Sequence, residues 1–281
     1  AITLPQDPKI LRKNVLDVVS IYLACGLDPK KTEFFVQSQI PQHAEIAWVL
    51  GTLTPLGWLN RMTQFKEKSG ENENLGLYSY PVLMASDILT YKADLVPVGD
   101  DQKQHLELTR DIAGAFNRRF GVEYFKLPEP LIVKAVKRIM SLQDGSKKMS
   151  KSDESEISRI NLGDSSDEIL KKVKKAKTDS LSTVTFDEAR PEIYNLLNIF
   201  SAVSGKAPEA LAAEYETTGY GKFKNDLAEI LIEKLRPIQE NLARLKQDES
   251  YVKQVLENGR NAASAIAQKT KNEIFEIVGL I

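Results

Sequence analysis

Apolar residues recur along this chain with two periods, one helical and one extended. In "DPKILRKNVLDVVSIYLACG", Ile10, Val15, Val18, Val19, Tyr22 and Leu23 fall largely on one helical face, and Gly26 supplies a stop. "TEFFVQS", beginning at Thr32, is short, aromatic and β-branched, which predicts a strand. "PQHAEIAWVLGTL" opens a helix with Pro41 at a permitted first-turn position, and "YPVLMASDILTYKA" predicts another helix begun by a proline. "DLVPVG" reads as a short buried strand. "DQKQHLELTRDIAGAFNRRFG" then gives an amphipathic helix with Leu108, Ile112, Ala115, Phe116 and Phe120 inward. Helices of this length between short strands imply right-handed βαβ crossovers and a parallel sheet.

The pattern changes beyond residue 145. "DSSDEILKKVKKAKTDS" carries a capping box, Ser165 with Glu168. From Pro191 to the end nearly every segment has helical period, and Pro237 predicts a kink or break within "FKNDLAEILIEKLRPIQENLARLK". The expected organisation is an α/β domain over 1–145, a loop over 146–153 and an all-helical domain over 154–281.

Composition narrows this only in places. The net charge of −1 over 281 residues gives no bulk field toward nucleic acid, so any basic surface is local. The single cysteine, Cys25, excludes an internal disulfide framework, and its apolar helix end predicts a small buried side chain. No apolar run is long enough for a membrane span, and the first residues have no signal-peptide or transit-peptide character, so a cytoplasmic protein is expected. The chain begins with Ala inside "AITL", which reads as a strand end and implies further residues upstream.

Four stretches could carry chemistry. In "DLVPVGDDQKQH" a strand ends at Gly99, and Asp100, Asp101 and Gln102 open a helix. Ligands of open parallel sheets bind at such strand ends, although Asp here also suits simple capping. In "YPVLMASDIL", Tyr80, Met84 and Asp87 fall at i, i+4 and i+7. A carboxylate on an apolar face needs a donor. An indole N–H would serve, a phenol O–H would serve equally, and so would a neighbouring loop. "RMTQFKEKSG" places Arg61, Lys66 and Lys68 before a loop, which suits a solvated turn or a phosphate contact. In "QDGSKKMSKSDESE", Lys148, Met149, Ser150, Lys151 and Ser152 follow an Asp144-Gly145 turn that would act as a hinge. Lysine ammoniums are point charges able to follow a moving polyphosphate, whereas a solvated loop is the plainer alternative.

The string "KMSKS" resembles the second signature of class I aminoacyl-tRNA synthetases. "RMTQFKEKS", "YPVLMASDIL", "DLVPVGDDQKQHLELTRDIAGAFNRRFG", "RIMSLQDGSKKMSKSD", "NLLNIFSAVSG" and "GYGKFKNDLAEILIEKLRPIQE" together resemble the bacterial-type tryptophanyl-tRNA synthetases over essentially the whole chain. The resemblance implies a Rossmann-like α/β catalytic domain followed by an all-helical domain that reads the anticodon. It implies activation of L-tryptophan by ATP, with Mg²⁺ accompanying the nucleotide and no metal held by the protein, and transfer to tRNA(Trp) by a homodimer whose domains close over ATP.

Site roles follow at matching positions. Asp87 would accept the indole N–H, with Tyr80, Met84, Val96, Val98 and Gln102 shaping the amino-acid pocket. Gly99, Asp100 and Asp101 would line the nucleotide site, and Ile139 would meet adenine through its backbone. Lys148 and Lys151 are the implied catalytic residues, following the pyrophosphate as it leaves, with Met149, Ser150 and Ser152 alongside them. Lys66 and Lys68 would assist at the phosphates. The family's first signature is absent, since His43 and His105 are followed by Ala44 and Leu106, and the first βα unit is expected to lie outside this chain. Two rivals stay open at this stage: a tyrosyl-tRNA synthetase, and a non-catalytic RNA-binding fragment. The lysine run Lys171, Lys172, Lys174, Lys175 and Lys177 is either a solvated face or a tRNA phosphate contact.

Overall fold

Helix α1 (Pro8–Ala24) forms where its period predicts, opened by Asp7 Oδ1 accepting from the backbone of Lys9 and closed by Gly26 at φ +94°. Its apolar face is not buried as expected: of the predicted face Ile10, Val18 and Tyr22 are exposed and Val19 is buried. Val15, Val18, Val19 and Tyr22 instead line an open groove of about 470 Å³ with Phe34 and Val36. The segment opposite is not the predicted strand. Residues 33–36 are irregular and pass into a 3-10 turn at Gln37–Gln39. Likewise Ile2 and Thr3 form a turn rather than a strand end, and Cys25 lies exposed in the turn after α1 rather than buried. The computed structural model describes residues 2–3, 5–62, 74–131, 138–151 and 153–280.

Packing divides the chain into two units. The first comprises Ala1–Leu23, Leu27–Val133 and Asp248–Ile281. It holds α2 (Gln42–Gly51), the short α3 (Leu56–Leu59), α4 (Leu75–Leu89), β1 (Leu95–Pro97), α5 (Lys103–Phe120) and β2 (Glu129–Leu131). Helix α4 does not start at Pro81. Asn74 caps it by accepting from Leu77 N, and the proline sits inside the helix. Strands β1 and β2 pair in parallel with Val96 opposite Pro130, joined through α5 as the crossover. They are the two strands of the sheet among the described residues. Strand β1 is not the buried strand its sequence predicts: Leu95 is 56% exposed and Pro97 is exposed, with only Val96 half-buried between them. Ile46, Leu50, Val82, Leu89, Leu108, Ile112 and Phe116 form the core.

The second unit comprises Ala24–Gly26 and Lys134–Gln247. Its helices are α6 (Ser166–Lys175), α7 (Pro191–Ser204), α8 (Pro208–Tyr215) and α9 (Gly219–Gln247). The predicted capping box is present, with Glu168 Oε2 accepting from Ser165 N at 2.7 Å. Pro237 does not break α9, which is continuous on both sides of it. Arg190, just before α7, grips Asp179 through Nε at 2.7 Å and Nη2 at 2.9 Å. That fork is the first cause of an Asp179 pKa held well below the carboxylate range, against the opposing effect of burial.

These boundaries differ from the expected 145 and 154. The final helix α10 (Glu249–Val278) groups with the first unit, not with the other C-terminal helices. Its apolar stripe explains this: Ile274 joins the first core, Ala263 and Ala267 pack on Ile40, and Thr270 Oγ1 donates to Thr90 O at 2.8 Å. Among the described residues no helix is long and apolar enough to cross a membrane.

Candidate functional site

The i, i+4, i+7 spacing holds in the first unit: Tyr80, Met84 and Asp87 are all half-buried on the single helix α4. The Asp87 carboxylate has two neighbours that the linear pattern does not suggest. Oδ2 accepts from Gln37 Nε2 at 2.6 Å, out of the 3-10 turn. Oδ1 stands 2.9 Å from Nδ1 of buried His43 on α2, a close electrostatic contact without directed hydrogen-bond geometry. His43 Nε2 in turn meets Tyr91 Oη at 2.8 Å. Burial pushes the Tyr91 phenol up to about 12, with the Asp87 charge adding to it, so this hydroxyl stays protonated.

Tyr80 is tied in the same manner, with Oη 2.7 Å from Nε2 of buried His105 on α5, and burial raises its pKa. Both histidines, unremarkable in sequence beyond their lack of a signature, thus abut residues of the expected amino-acid site. A histidine spaced among the apolar positions of a helix was the available signal.

The predicted residues at the β1 end lie along one strand-to-helix turn. Val96 and Val98, two residues apart and so on one face, are both half-buried, and Val98 N reaches Leu131 O at 3.4 Å. Gly99 O accepts from Gln102 N at 3.0 Å, turning the chain through Asp100 and Asp101 into α5. Asp101 is exposed and accepts from Gln102 Nε2 at 2.8 Å. An 18-residue helix starting here offers backbone N–H groups to an anion. Lys66, Lys68 and Ser152 lie outside the described residues.

In the second unit Lys147, Lys148 and Met149 lie on one arm of a hairpin. Met140 and Lys148 pair antiparallel, Ser141 N donates to Lys147 O at 2.7 Å, and Met149 N donates to Ile139 O at 3.1 Å. Asn195 on α7, only 2% exposed, clamps the base, donating to Met140 O at 2.8 Å and accepting from Met140 N at 2.9 Å. Leaving those backbone groups unpaired would cost about 1–3 kcal/mol each. Ile139 and Met149 pack on the core, while Lys148 and Lys151 are exposed and Ser150 is half-buried. The Asp144-Gly145 turn is not a free hinge. A Cβ on buried Gly145 would lie 2.5 Å from the Pro191 carbonyl carbon, so the glycine serves close approach to α7. Ser146, donating from side chain and backbone to Asp144 Oδ1, holds that carboxyl below its ordinary range and fixes the turn.

The lysine run is not one basic face. Lys172 is buried against Asp164 at 2.6 Å and Lys177 pairs with Glu192 at 3.0 Å, which leaves Lys171, Lys174 and Lys175 outward without an ion pair among the described residues.

The family model for tRNA synthetases class I (W and Y) matches residues 1–236. The tryptophan–tRNA ligase of Rickettsia bellii is 54% identical over all of this chain and 86% of its own length. The crystal structure of the Campylobacter jejuni tryptophanyl-tRNA synthetase, complexed with ADP and tryptophan, superposes with a TM-score of 0.85 at 33% identity, covering 99% of this chain and 86% of that one. A tyrosyl-tRNA synthetase from Aeropyrum pernix, at 23% identity and a TM-score of 0.60 over 91% of this chain and 74% of that one, shares the fold alone. The chain belongs to the class I tRNA synthetases (W and Y), within the bacterial-type tryptophanyl-tRNA synthetase family.

Proposed function

We infer that this chain joins L-tryptophan to tRNA(Trp) in an ATP-driven reaction of two steps. A carboxylate oxygen of tryptophan attacks the α-phosphorus of ATP. The α–β bridging P–O bond breaks, pyrophosphate leaves, and tryptophanyl-adenylate remains. A ribose hydroxyl of the terminal adenosine of the tRNA then attacks the carbonyl carbon, and AMP leaves. Mg²⁺ enters with ATP as part of the substrate. Such transfers depend on positioning and charge stabilisation and need no protein nucleophile.

Asp87 is the acceptor for the indole N–H, with Tyr80, Met84, Val96, Val98 and Gln102 around the ring. Gly99, Asp100 and Asp101 take the nucleotide, Asp101 at the ribose, and the Ile139 backbone takes adenine. Lys148 and Lys151, flanked by Met149, Ser150 and Ser152, carry the charge of the departing pyrophosphate, with Lys66 and Lys68 assisting. Exposed Lys171, Lys174 and Lys175 meet tRNA phosphates, which makes binding salt-dependent. The helices of the second unit read the anticodon, and the enzyme works in the cytoplasm as a homodimer.

The observation that carries this reading is the pinned hairpin presenting exposed Lys148 and Lys151, in a chain 54% identical to a tryptophan–tRNA ligase. The binding of ADP and tryptophan by the Campylobacter relative supports it. ATP–pyrophosphate exchange tests it: exchange dependent on tryptophan is expected, and exchange with tyrosine alone, or with neither amino acid, overturns it.

A further inference from the structure

Three groups converge on Asp87 from different elements. Gln37 reaches Oδ2 from the 3-10 turn, His43 faces Oδ1 from α2, and Tyr91 closes on the far nitrogen of His43 at 2.8 Å. Ser86 Oγ donates to His43 O at 2.7 Å, so the backbone of α2 is strapped to α4 at the same level. Among the described residues, neither His43 Nδ1 nor Asp87 Oδ1 has a hydrogen-bond partner, although both are buried. Each is the other's close polar neighbour.

The proton on the ring is fixed by this surround. An Nδ1 lone pair 2.9 Å from a carboxylate oxygen is repelled even without directed hydrogen-bond geometry, which favours the tautomer with the hydrogen on Nδ1. In the neutral ring Nε2 is then the acceptor, and the Tyr91 hydroxyl donates to it. Every dipole in the row Tyr91–His43–Asp87 therefore points its positive end at the carboxylate, with the Gln37 amide doing the same from the other side.

We propose that His43, with its tautomer set by Tyr91, is a positioning residue for amino-acid selection: it holds the Asp87 carboxylate in the orientation that accepts the indole N–H. This rests on Asp87 being that acceptor. An acceptor that can swing would serve water or another donor as well as indole. One held from both sides discriminates against a ring without an N–H, because its lone pair is then left unpaired.

The test uses the nitrogen geometry of the ring. In His43→Asn the amide nitrogen stands near the place of Nδ1; in His43→Gln it stands near Nε2. Calorimetric titration of the native enzyme and the two variants would compare L-tryptophan with benzothienylalanine, in which sulfur replaces the indole N–H. The preference of the wild type is expected to survive in His43→Asn within about threefold, and to fall by about tenfold or more in His43→Gln. A preference unchanged in both variants, or lost equally in both, overturns the proposal, since a merely structural role does not separate them. Should either histidine variant fail to fold, Tyr91→Phe keeps the ring and removes only the donor. A reduced preference there supports the row, and an unchanged one overturns it. Asp87→Ala separates the two levels. If it leaves the preference intact, Asp87 is not the indole acceptor. If it abolishes the preference while the His43 and Tyr91 variants keep it, only the positioning role falls.

Discussion

The surroundings of Asp87 and the lysine hairpin are built on opposite plans. Around half-buried Asp87, polar groups reach each other across separate elements, with the carboxylate flanked by exposed Gln37 at 2.6 Å and buried His43 at 2.9 Å. The hairpin is pinned at its root, where Asn195 clamps Met140 and Gly145 abuts the backbone of Pro191, and Lys148 and Lys151 are exposed. The difference suits the two tasks proposed for these residues. Telling indole from other rings requires an acceptor that does not move. Attending a pyrophosphate that departs requires charges that do, carried on a fixed base.

That contrast can be broken at several points. The largest effect is expected for replacing both Lys148 and Lys151 with Ala: tryptophan-dependent exchange should fall by about 100-fold to 1,000-fold while tryptophan affinity changes little. Asp87→Ala should do the reverse in kind, weakening tryptophan binding by about tenfold to 100-fold in titration calorimetry.

Two glycines sharpen the comparison further. A Cβ on Gly259 would collide with the Phe34 carbonyl, displacing the segment that leads into Gln37. A Cβ on Gly145 would collide with the start of α7. Each alanine variant should lose about 1–3 kcal/mol in denaturant unfolding. Gly259→Ala should also weaken tryptophan binding, whereas Gly145→Ala should slow exchange at unchanged tryptophan affinity.

The smallest effect concerns pH. Because folding depresses the Asp179 carboxyl, chiefly through its hydrogen bond from Arg190, the pair stabilises the protein above the usual carboxylate range. The contribution is lost as pH falls from about 4 toward the lower folded value. The Tm gap between wild type and Asp179→Asn, followed from pH 7 downward, should close as the medium becomes acidic.

The sequence shows those parts of this architecture that are local. Period and caps place α1, α2, α5 and the Ser165–Glu168 box, and the "KMSKS" string marks the hairpin. What it hides depends on residues far apart. Gln37 meets Asp87 across 50 positions, His43 meets Tyr91 across 48, and Tyr80 meets His105 across 25. No local period encodes such pairings. The assignment of α10 to the first unit is hidden for the same reason, since a helical stripe does not name the core it joins. Gly145 misled because a glycine after Asp reads as a hinge, whereas its use here is the approach of another backbone.

The most direct test takes Lys151→Ala and Asp87→Ala side by side and measures, on the same samples, the tryptophan Kd and the rate of tryptophan-dependent ATP–pyrophosphate exchange at saturating tryptophan. A crossover is expected: Lys151→Ala keeps the Kd and loses most of the rate, whereas Asp87→Ala raises the Kd and keeps far more of the rate. Parallel loss of both quantities in both variants would contradict the division of selection and charge stabilisation between these two regions.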